Sequence, residues 1–495
     1  MVTVAISLAS CEKLITVNPQ NTIAANLALK DATGYQSLLA AVYDGLQGYG
    51  YYGRDMMLEG DALADNIYTV VAQAGGRYTG ANLNTSGSQL GIWTSNYSYI
   101  NDCNIIIAGI PTLTGQTPAN QALSAQILVQ AYALRGLLYF DLARVYGWEP
   151  TDVPTTGPDA GNNNSAVLRL TAVTDLSNTQ KQNRATIAQT YAQVEADFNK
   201  AITLFQAIGS AKPSQPYIFS ESAAHGWLAK VYLYAGDYVN CVTQCQAALN
   251  PAICPGKLTG AGTYTTAFNT SPNPESLMEL DFVQAIEVTG VTGSNGAPYT
   301  YTQPDRYTSA GNGAPGVLNT ATSTFGGNTP SAELLASFDS PNDDRKKMFF
   351  QSPTFTTSTV YTWCNKYNGH NGPYTDNMPI LRYSDVLLME AEAMAAQGQY
   401  GPAQALVVQL RTARNATTAN VPGDITLKQF IQDERRRELF FEGQRFFDLK
   451  RQGLGITKPA LTAVGTLSPT DFRLVAPLPS GEILFNPALP QNPNY

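Results

Sequence analysis

Three glutamates, Glu434, Glu438 and Glu442, recur every four residues in the most charged segment of the sequence. If the segment is helical, they share one face, and paired carboxylates about 5 to 9.5 Å apart are the groups that hydrolyse glycosidic bonds. The run of arginines at 435–437 would lower the pKa of these carboxylates and keep them ionised, which is unfavourable for a general acid. Large apolar residues alternate with the charges, as in a packed helix. We therefore predict a structural ion-pair network, and we expect a protein that is not an enzyme.

Aromatic residues close to amide or guanidinium groups indicate a different chemistry, the binding of sugars. A flat ring packs against the C–H face of a sugar, and N–H groups donate to its hydroxyls. Trp93 and Asn96 are three residues apart, so a helix would place them on one face, and Arg77 lies in a glycine-flanked loop before them. Aromatic residues at helical spacing are also typical of a core, and for Trp93 both alternatives remain open.

Two further places combine aromatic rings with polar donors. Tyrosines and Arg54 follow the first predicted helix, at 49–54, and several tyrosines and one tryptophan, Trp363, lie among Gly, Pro and Thr after residue 290. The sequence leaves open whether the ligand site lies at 77–97 or at 290–375. The predicted ligand-binding residues are Arg77, Tyr78, Trp93, Asn96, Tyr299, Tyr301 and Trp363.

No metal or cofactor is predicted. The two histidines of the chain do not have metal-motif spacing with a cysteine. A G-x-S-x-G elbow, a Walker loop and an H-E-x-x-H motif are all missing from the sequence. Asp339, Asp343 and Asp344 carry the oxygen ligands that calcium prefers, but the lysines at 346 and 347 favour a solvated charge cluster.

Two cysteines lie four residues apart in a predicted helix, at Cys241 and Cys245. Their surroundings favour a buried pair of small side chains over a metal site. A bridge between Cys245 and Cys254 is an alternative if the protein is exported to an oxidising compartment.

The composition excludes several classes of protein. The 495 residues suffice for about two to four domain units. A net charge of −8 argues against nucleic-acid binding, which needs a basic surface. No run of 18 or more apolar residues is present, so a membrane-spanning helix is not predicted. Only 14% of residues are charged while 27 are tyrosine, which favours an extracellular protein that handles neutral polar ligands.

The amino-terminal residues indicate attachment to a membrane. An apolar run ends in Leu8-Ala9-Ser10-Cys11, which resembles the lipobox of bacterial lipoproteins and the end of a secretory signal. Cys11 is therefore predicted to be the lipidated residue, and residues 12–32 to form a polar tether.

Helical periodicity dominates much of the remaining chain. Segments 33–47, 90–110, 123–146 and 185–208 each have an apolar face. Segments 228–249 and 390–410 share small residues and a Gly-x-Tyr turn at the same offsets, which is close to the tetratricopeptide signature. Residues 251–378 are instead dense in Gly, Pro, Asn, Thr and Tyr.

These patterns predict an all-α-dominated fold, in which a tetratricopeptide-like helical-repeat scaffold carries a large loop-rich insert. The predicted divisions are 1–11 (signal remnant), 12–32 (tether), 33–250 (helical repeats), 251–378 (insert), 379–453 (further repeat helices) and 454–495 (an irregular strap).

Several segments together resemble the SusD/RagB family of Bacteroidetes surface lipoproteins. They are residues 139–147, 376–395 (DNMPILRYSDVLLMEAEAMA), 434–451 (ERRRELFFEGQRFFDLKR) and 478–495, in the order typical of the family. The resemblance implies a tetratricopeptide-like scaffold whose loop-rich half binds a glycan or another nutrient. It also implies a partner, a SusC-like TonB-dependent transporter, and a lipid-anchored position on the outer-membrane surface. An Arg, a Trp and an Asn of the amino-terminal region bind the ligand in starch-utilisation members, which the resemblance carries onto Arg77, Trp93 and Asn96.

Two other functions remain as alternatives. A tetratricopeptide scaffold could bind proteins in a concave helical groove, and a surface glycosidase could use the carboxylates at 434–442. Neither alternative includes the delivery of a nutrient to a transporter, which the family resemblance implies.

Overall fold

The computed structural model describes residues 29–69, 78–174, 180–282, 328–353, 360–371, 376–460, 462 and 464–495. The predicted lipidation site Cys11 and three predicted ligand-binding residues, Arg77, Tyr299 and Tyr301, lie outside this part of the chain. The described helices are α1 (Ala32–Gln47), α2 (Asp55–Leu63), α3 (Thr79–Asn82), α4 (Trp93–Gly109), α5 (Pro118–Tyr146), α6 (Ile187–Ala207), α7 (Glu221–Ala235), α8 (Tyr238–Ala248), α9 (Tyr264–Ala267), α10 (Ala332–Ala336), α11 (Tyr383–Ala396), α12 (Tyr400–Ala413), α13 (Leu427–Leu439), α14 (Arg445–Lys450) and α15 (Ser480–Phe485).

Helices α5 to α8, α11, α12 and α13 pack against one another in succession and form the scaffold. Local signals set their ends. The Thr186 side chain and Gln189 form a capping box before α6, and Ser220 accepts a hydrogen bond from the amide of Ala223 at the start of α7. Gly236 ends α7 with φ of 74°, a conformation that favours glycine. The predicted tetratricopeptide-like, mainly helical fold is therefore confirmed.

The core of the scaffold is built from apolar faces with the predicted periodicity. Trp227 is fully buried on α7, and Gly136 of α5 lies so close to Phe198 of α6 that a Cβ atom would be 3.2 Å from its ring. Cys241 and Cys245 are buried and both are free. The alternative of a Cys245–Cys254 bridge is contradicted, since Cys254 is free as well.

Short strands lie mainly in the loop-rich part of the chain, with one in the amino-terminal part and two in the carboxyl-terminal segment. They are β1 (Ile67–Thr69), β2 (Ser276–Leu280), β3 (Asn328–Pro330), β4 (Phe349–Pro353), β5 (Val360–Cys364), β6 (Met378–Arg382), β7 (Ile456–Thr457) and β8 (Thr466–Leu467). They form antiparallel pairs, β1–β3, β2–β6, β4–β5 and β7–β8. The β1–β3 pair joins the amino-terminal part to the insert, because Thr69 lies opposite Asn328.

The carboxyl-terminal segment runs back over the end of α5. The amide of Ala476 donates to the carbonyl of Val145 at 2.9 Å, and the side chain of Asn492 donates to the carbonyl of Tyr146 at 3.0 Å. In this way α15 is placed beside the first turns of α4. Within the described residues, no helix combines the length and the hydropathy needed to span a bilayer.

Candidate functional site

The three glutamates of the charged segment are buried in an ion-pair network. Glu438 is fully buried, and its carboxylate contacts three guanidinium groups, those of Arg414 (2.8 Å), Arg382 (3.1 Å) and Arg345 (3.3 Å). Glu434 is paired in the same way with arginines at 2.7 to 2.8 Å. The predicted ion-pair network is therefore present.

Two details of that prediction need correction. Helix α13 ends at Leu439, and Phe441 has φ of 59°, so Glu442 does not continue the helical face of the other two glutamates. It accepts a bidentate pair of hydrogen bonds from Arg382 at 2.6 and 2.9 Å. Of the consecutive arginines, Arg437 pairs with Glu434, whereas Arg435 pairs with aspartates of other segments. The remaining arginine partners of the glutamates come from outside the run, at positions 345, 382, 411 and 414.

The electrostatics of the network are unfavourable for acid catalysis. Burial alone would raise the pKa of Glu434, but the guanidinium groups of Arg345, Arg437 and Arg411 outweigh it and hold the pKa at about 2. The arginines around Glu438 likewise hold its pKa well below the usual range, against the effect of burial. Carboxylates that stay ionised cannot protonate a leaving group.

The aspartates considered for calcium are paired with cations. Asp343 contacts Arg345 at 2.7 Å, Asp344 contacts Lys347 at 2.6 Å, and Asp339 contacts Arg411 at 2.8 Å. The described part of the chain has no group of three or more His, Cys, Asp or Glu side chains arranged to hold a metal ion.

The predicted ligand-binding residues of α4 face the protein interior. Trp93 is 2% exposed and packs edge-on against Tyr146, with ring centroids 4.9 Å apart. Its backbone N–H donates to the hydroxyl of Tyr146 at 3.0 Å. Asn96 is fully buried, and its amide lies 3.4 Å from the hydroxyl of Tyr51. Both side chains pack beneath the surface in this structure, and their role in binding stays a prediction.

Trp363 and Tyr78 lie elsewhere, so the structure does not bring the predicted residues together. Trp363 is 1% exposed in β5, opposite Phe350 of the neighbouring strand. Tyr78 precedes α3 with φ of 60°, and its hydroxyl donates to Asp55 at 2.5 Å. The side chain of Tyr78 thus belongs to a polar cluster at the start of α2.

That cluster supports an exposed aromatic ring, Tyr49. The Arg54 side chain is clamped by Asp55, with N–O distances of 2.6 and 3.2 Å, and its guanidinium carbon lies 4.8 Å from the centroid of the Tyr49 ring. Tyr49 is 56% exposed. We call the group formed by Tyr49, Arg54, Asp55 and Tyr78 the Tyr49 surface.

The Tyr49 surface adjoins the loop-rich part of the chain. Two residues before Tyr49, the side-chain amide of Gln47 donates to the carbonyl of Asp281. The carboxylate of Asp281 in turn accepts from the side chain of Asn377 at 2.9 Å. These contacts place the exposed ring at the border of residues 251–378.

A second exposed ring lines a cleft between α4 and α15. This cleft has a volume of about 580 Å³, within the range of small-molecule sites. Phe485 is 59% exposed, and the ammonium group of Lys181 lies 5.2 Å from its ring centroid. Trp93 also contributes to the lining, together with the exposed Gln182 and the half-buried Glu482. Among the described aromatic residues, Tyr49 and Phe485 are the two that are exposed.

The polar residues of the α4 wall hold the cleft together. The hydroxyl of Tyr97 donates to the carbonyl of Val167 at 3.0 Å and accepts from its N–H at 2.6 Å. The Asn101 side chain makes the same pair of contacts with Val173, at 3.0 and 2.7 Å. Asn104 donates to the carbonyl of Arg169 at 2.8 Å. These side chains bond to the backbone N–H and C=O groups of segment 167–173 as a neighbouring strand would. They hold that segment against α4, and the segment in turn forms part of the wall of the cleft.

Two family models match the chain, each over a different part of it. The SusD family matches residues 352–495, and the family described as starch-binding associating with outer membrane matches residues 35–233. The chain belongs to the SusD/RagB family. Two SusD-like proteins of Formosa agariphila are 27% and 23% identical to it, and the alignments cover 99% of this chain and 96% and 98% of theirs.

Solved structures of SusD proteins share the fold. A SusD superfamily protein from Bacteroides thetaiotaomicron superposes with a TM-score of 0.77 at 25% identity, covering 94% of this chain and all of that one. A structure from Bacteroides vulgatus, described as a putative sugar binding protein, superposes with a TM-score of 0.73 at 21% identity, covering 94% and 99%.

Sequence reasoning missed part of what the structure of this SusD/RagB protein shows. A polar stripe runs along α4, formed by Tyr97, Asn101 and Asn104 at helical spacing. This stripe is visible in the sequence and could have indicated that the helix binds a polar backbone segment, which the structure shows to be residues 167–173. Phe485 gave no such signal, because it lies in a short helix of the irregular tail.

Proposed function

We propose that this SusD/RagB-family protein binds oligosaccharides or polysaccharides on the outer-membrane surface and delivers them to a SusC-like TonB-dependent transporter. In this proposal the lipid on Cys11 anchors the protein, and the protein itself does not cleave glycosidic bonds. The family description of starch binding in association with the outer membrane supports the proposal, as does the Bacteroides vulgatus structure described as a putative sugar binding protein.

The observation that carries the proposal is the exposed ring of Tyr49 above a fixed guanidinium group. Exposing an aromatic ring costs free energy, and the clamp of Arg54 by Asp55 and the Tyr78–Asp55 hydrogen bond keep the cluster in place. The Arg54 guanidinium group lies against the Tyr49 ring, and the C–H groups of a sugar pack against aromatic rings of this kind. A ring that is already fixed loses little conformational entropy on binding, so a ligand that makes few contacts can still bind with useful affinity.

An open surface also suits the chemistry of the ligand. A polysaccharide is longer than a closed pocket can enclose, so its chain must enter and leave the site along the surface. The position of Tyr49 beside the insert agrees with the loop-rich ligand face that the family resemblance implies. The predicted roles of Arg77, Trp93, Asn96, Tyr299, Tyr301 and Trp363 in binding the glycan are the alternative placement of the site within this proposal, and the same titrations test them.

Binding to a glycan array, followed by calorimetry with the best glycan, tests the proposal. Tyr49→Ala should weaken binding by about 2 kcal/mol or more, roughly thirtyfold in Kd. The matched variant Tyr49→Phe keeps the ring and should retain most of the affinity. Since Tyr49 is largely exposed, both variants should fold normally.

Other outcomes redirect the assignment. If Phe485→Ala abolishes binding and Tyr49→Ala does not, the glycan binds in the cleft between α4 and α15. Loss of binding in Trp93→Ala or Trp363→Ala with the fold intact would support the residues predicted from sequence. A protein that binds no glycan would contradict the proposal, and release of shortened sugars from a polysaccharide would establish the glycosidase alternative. Co-purification of a SusC-like transporter with the full-length protein tests the delivery step.

A further inference from the structure

A serine, a histidine and an aspartate of the loop-rich part lie in one hydrogen-bonded line. The Ser271 hydroxyl oxygen is 2.7 Å from Nε2 of His370, and Nδ1 of the same ring is 2.6 Å from Oδ1 of Asp376. These are the distances and the order of partners found between a nucleophile, its general base and the group that orients the base.

The aspartate fixes both the orientation and the tautomer of the imidazole ring. Asp376 is 1% exposed, and its two carboxylate oxygens accept from the backbone N–H groups of Gly369 (2.8 Å) and His370 (3.1 Å). A carboxylate that accepts these bonds has no hydrogen to donate, so Nδ1 of His370 carries the hydrogen that joins the two side chains. Nε2 then has its lone pair directed at the hydroxyl of Ser271, as a general base requires.

The serine is accessible while its partners are held in place. Ser271 is exposed, whereas the side chain of His370 is 14% exposed. The next residue is Pro272, which has no N–H, so the backbone donor that often stabilises an oxyanion is missing at that position. Side-chain amides are close by in the sequence, since Asn368 donates to the side-chain oxygen of Asn269, two residues before Ser271. Asn269 and Asn368 precede Ser271 and His370 by two positions each, and amide N–H groups are donors of the kind that can stabilise an oxyanion.

We propose that Ser271, His370 and Asp376 hydrolyse O-acyl esters. Nε2 of His370 takes the proton of the Ser271 hydroxyl while the oxygen of Ser271 forms a bond to the ester carbonyl carbon. The bond between that carbon and the oxygen of the alcohol then breaks. The alcohol leaves with the proton from Nε2, and the acyl group remains on Ser271. Water attacks this acyl-serine, again giving its proton to His370, so that a carboxylic acid is released and Ser271 regains its hydrogen.

The natural substrate that fits this position is an ester carried by a sugar. Asn377 follows Asp376 directly and contacts Asp281, which links the three residues to the border on which Tyr49 lies. The choice of an acylated glycan rests on the proposed function, because it assumes that a glycan binds nearby. Hydrolysis of a small ester does not depend on that assumption.

Hydrolysis of p-nitrophenyl acetate and labelling with a fluorophosphonate probe, followed by peptide mapping, test the inference. The unsubstituted protein should hydrolyse the ester and carry the probe on Ser271. Ser271→Ala and His370→Gln should each lower the rate at least about 100-fold, the range expected for a general base. Ser468→Ala, at an exposed serine in another part of the structure, is the matched control and should keep the full rate.

A thiol variant separates the chemistry from any effect on folding. In Ser271→Cys, iodoacetamide should alkylate the introduced thiol at least about ten times faster than in Ser271→Cys/His370→Gln, because His370 promotes formation of the thiolate. No probe on Ser271, labelling unchanged by His370→Gln, or equal alkylation of the two thiol variants would each overturn the inference. Glycan binding by Ser271→Ala is measured in parallel, so that failure of the esterase inference is distinguished from failure of glycan binding.

Discussion

Glu438→Gln replaces a buried carboxylate by a neutral amide of nearly the same shape. In the folded protein this carboxylate contacts Arg345, Arg382 and Arg414 at 2.8 to 3.3 Å and is fully buried. Removing one member of a buried charge pair costs about 3–5 kcal/mol, because the remaining charge stays desolvated. The amide NH2 would also meet guanidinium donors, and neither group can accept the hydrogen of the other.

The change in melting temperature follows from the size of the chain. Unfolding entropy is about 2.1 cal/mol/K per residue, so 495 residues give about 1 kcal/mol/K. A loss of 3–5 kcal/mol should therefore lower Tm by about 3–5 °C in calorimetry. Glu333→Gln, at an exposed position of α10, is the control and should change stability by less than about 0.5 kcal/mol.

Two results would refute this account of the network. A Tm of Glu438→Gln within about 1 °C of the unsubstituted protein would show that the buried charges are not coupled as described. Unchanged stability together with loss of a polysaccharide-cleaving activity would instead make Glu438 a catalytic residue.

Four further predictions concern other parts of the molecule. The pKa of Glu434 is lowered from about 4.5 in the unfolded chain to about 2 in the folded protein, which corresponds to about 3 kcal/mol of folding stability. This stability should be fully present above pH 4.5 and should be lost as the pH falls towards 2. In Glu434→Gln, the free energy of unfolding should therefore depend less on pH over that range. Gly443→Ala should destabilise the protein by at least about 2 kcal/mol in urea unfolding, since φ is 71° and a Cβ would lie within 1.7 Å of the carbonyl oxygen of Met56; Gly401→Ala, with open space around it, should not. Asn101→Ala removes two hydrogen bonds to the extended segment of the cleft wall and should speed tryptic cleavage after Arg169, which mass spectrometry would detect. An alkyne fatty acid should label the protein in cells but not its Cys11→Ala variant, and equal labelling would contradict lipidation at this residue.

The parts of the fold that were predictable from sequence are those with local causes. Helix α7 ends at Gly236 and α11 is followed by Gly398, both with positive φ, and the apolar residues between such turns have helical spacing. Caps, turns and periodicity depend on neighbours a few residues away, so a single sequence contains them.

The contacts that define the sites depend on distant residues. Glu438 meets Arg382 across 56 residues, and Ser271 meets His370 across 99. Periodicity could place Asn96 on one face of α4, but it could not show that α5 covers that face. For the same reason Trp93 was a candidate platform in the sequence and is a buried side chain in the structure.

The wall formed by α15 has a consequence for the order in which the molecule can assemble. A ribosome makes the residues of α4 and α5 several hundred positions before Phe485 and Asn492, which complete the cleft and cover the end of α5. Until these late residues dock, Val145 and Tyr146 lack their partners at 476 and 492. The carbonyl groups at the end of α5 therefore stay without these two partners until residues 476–492 have been made and have docked, so this end of α5 is among the last parts of the fold to be completed.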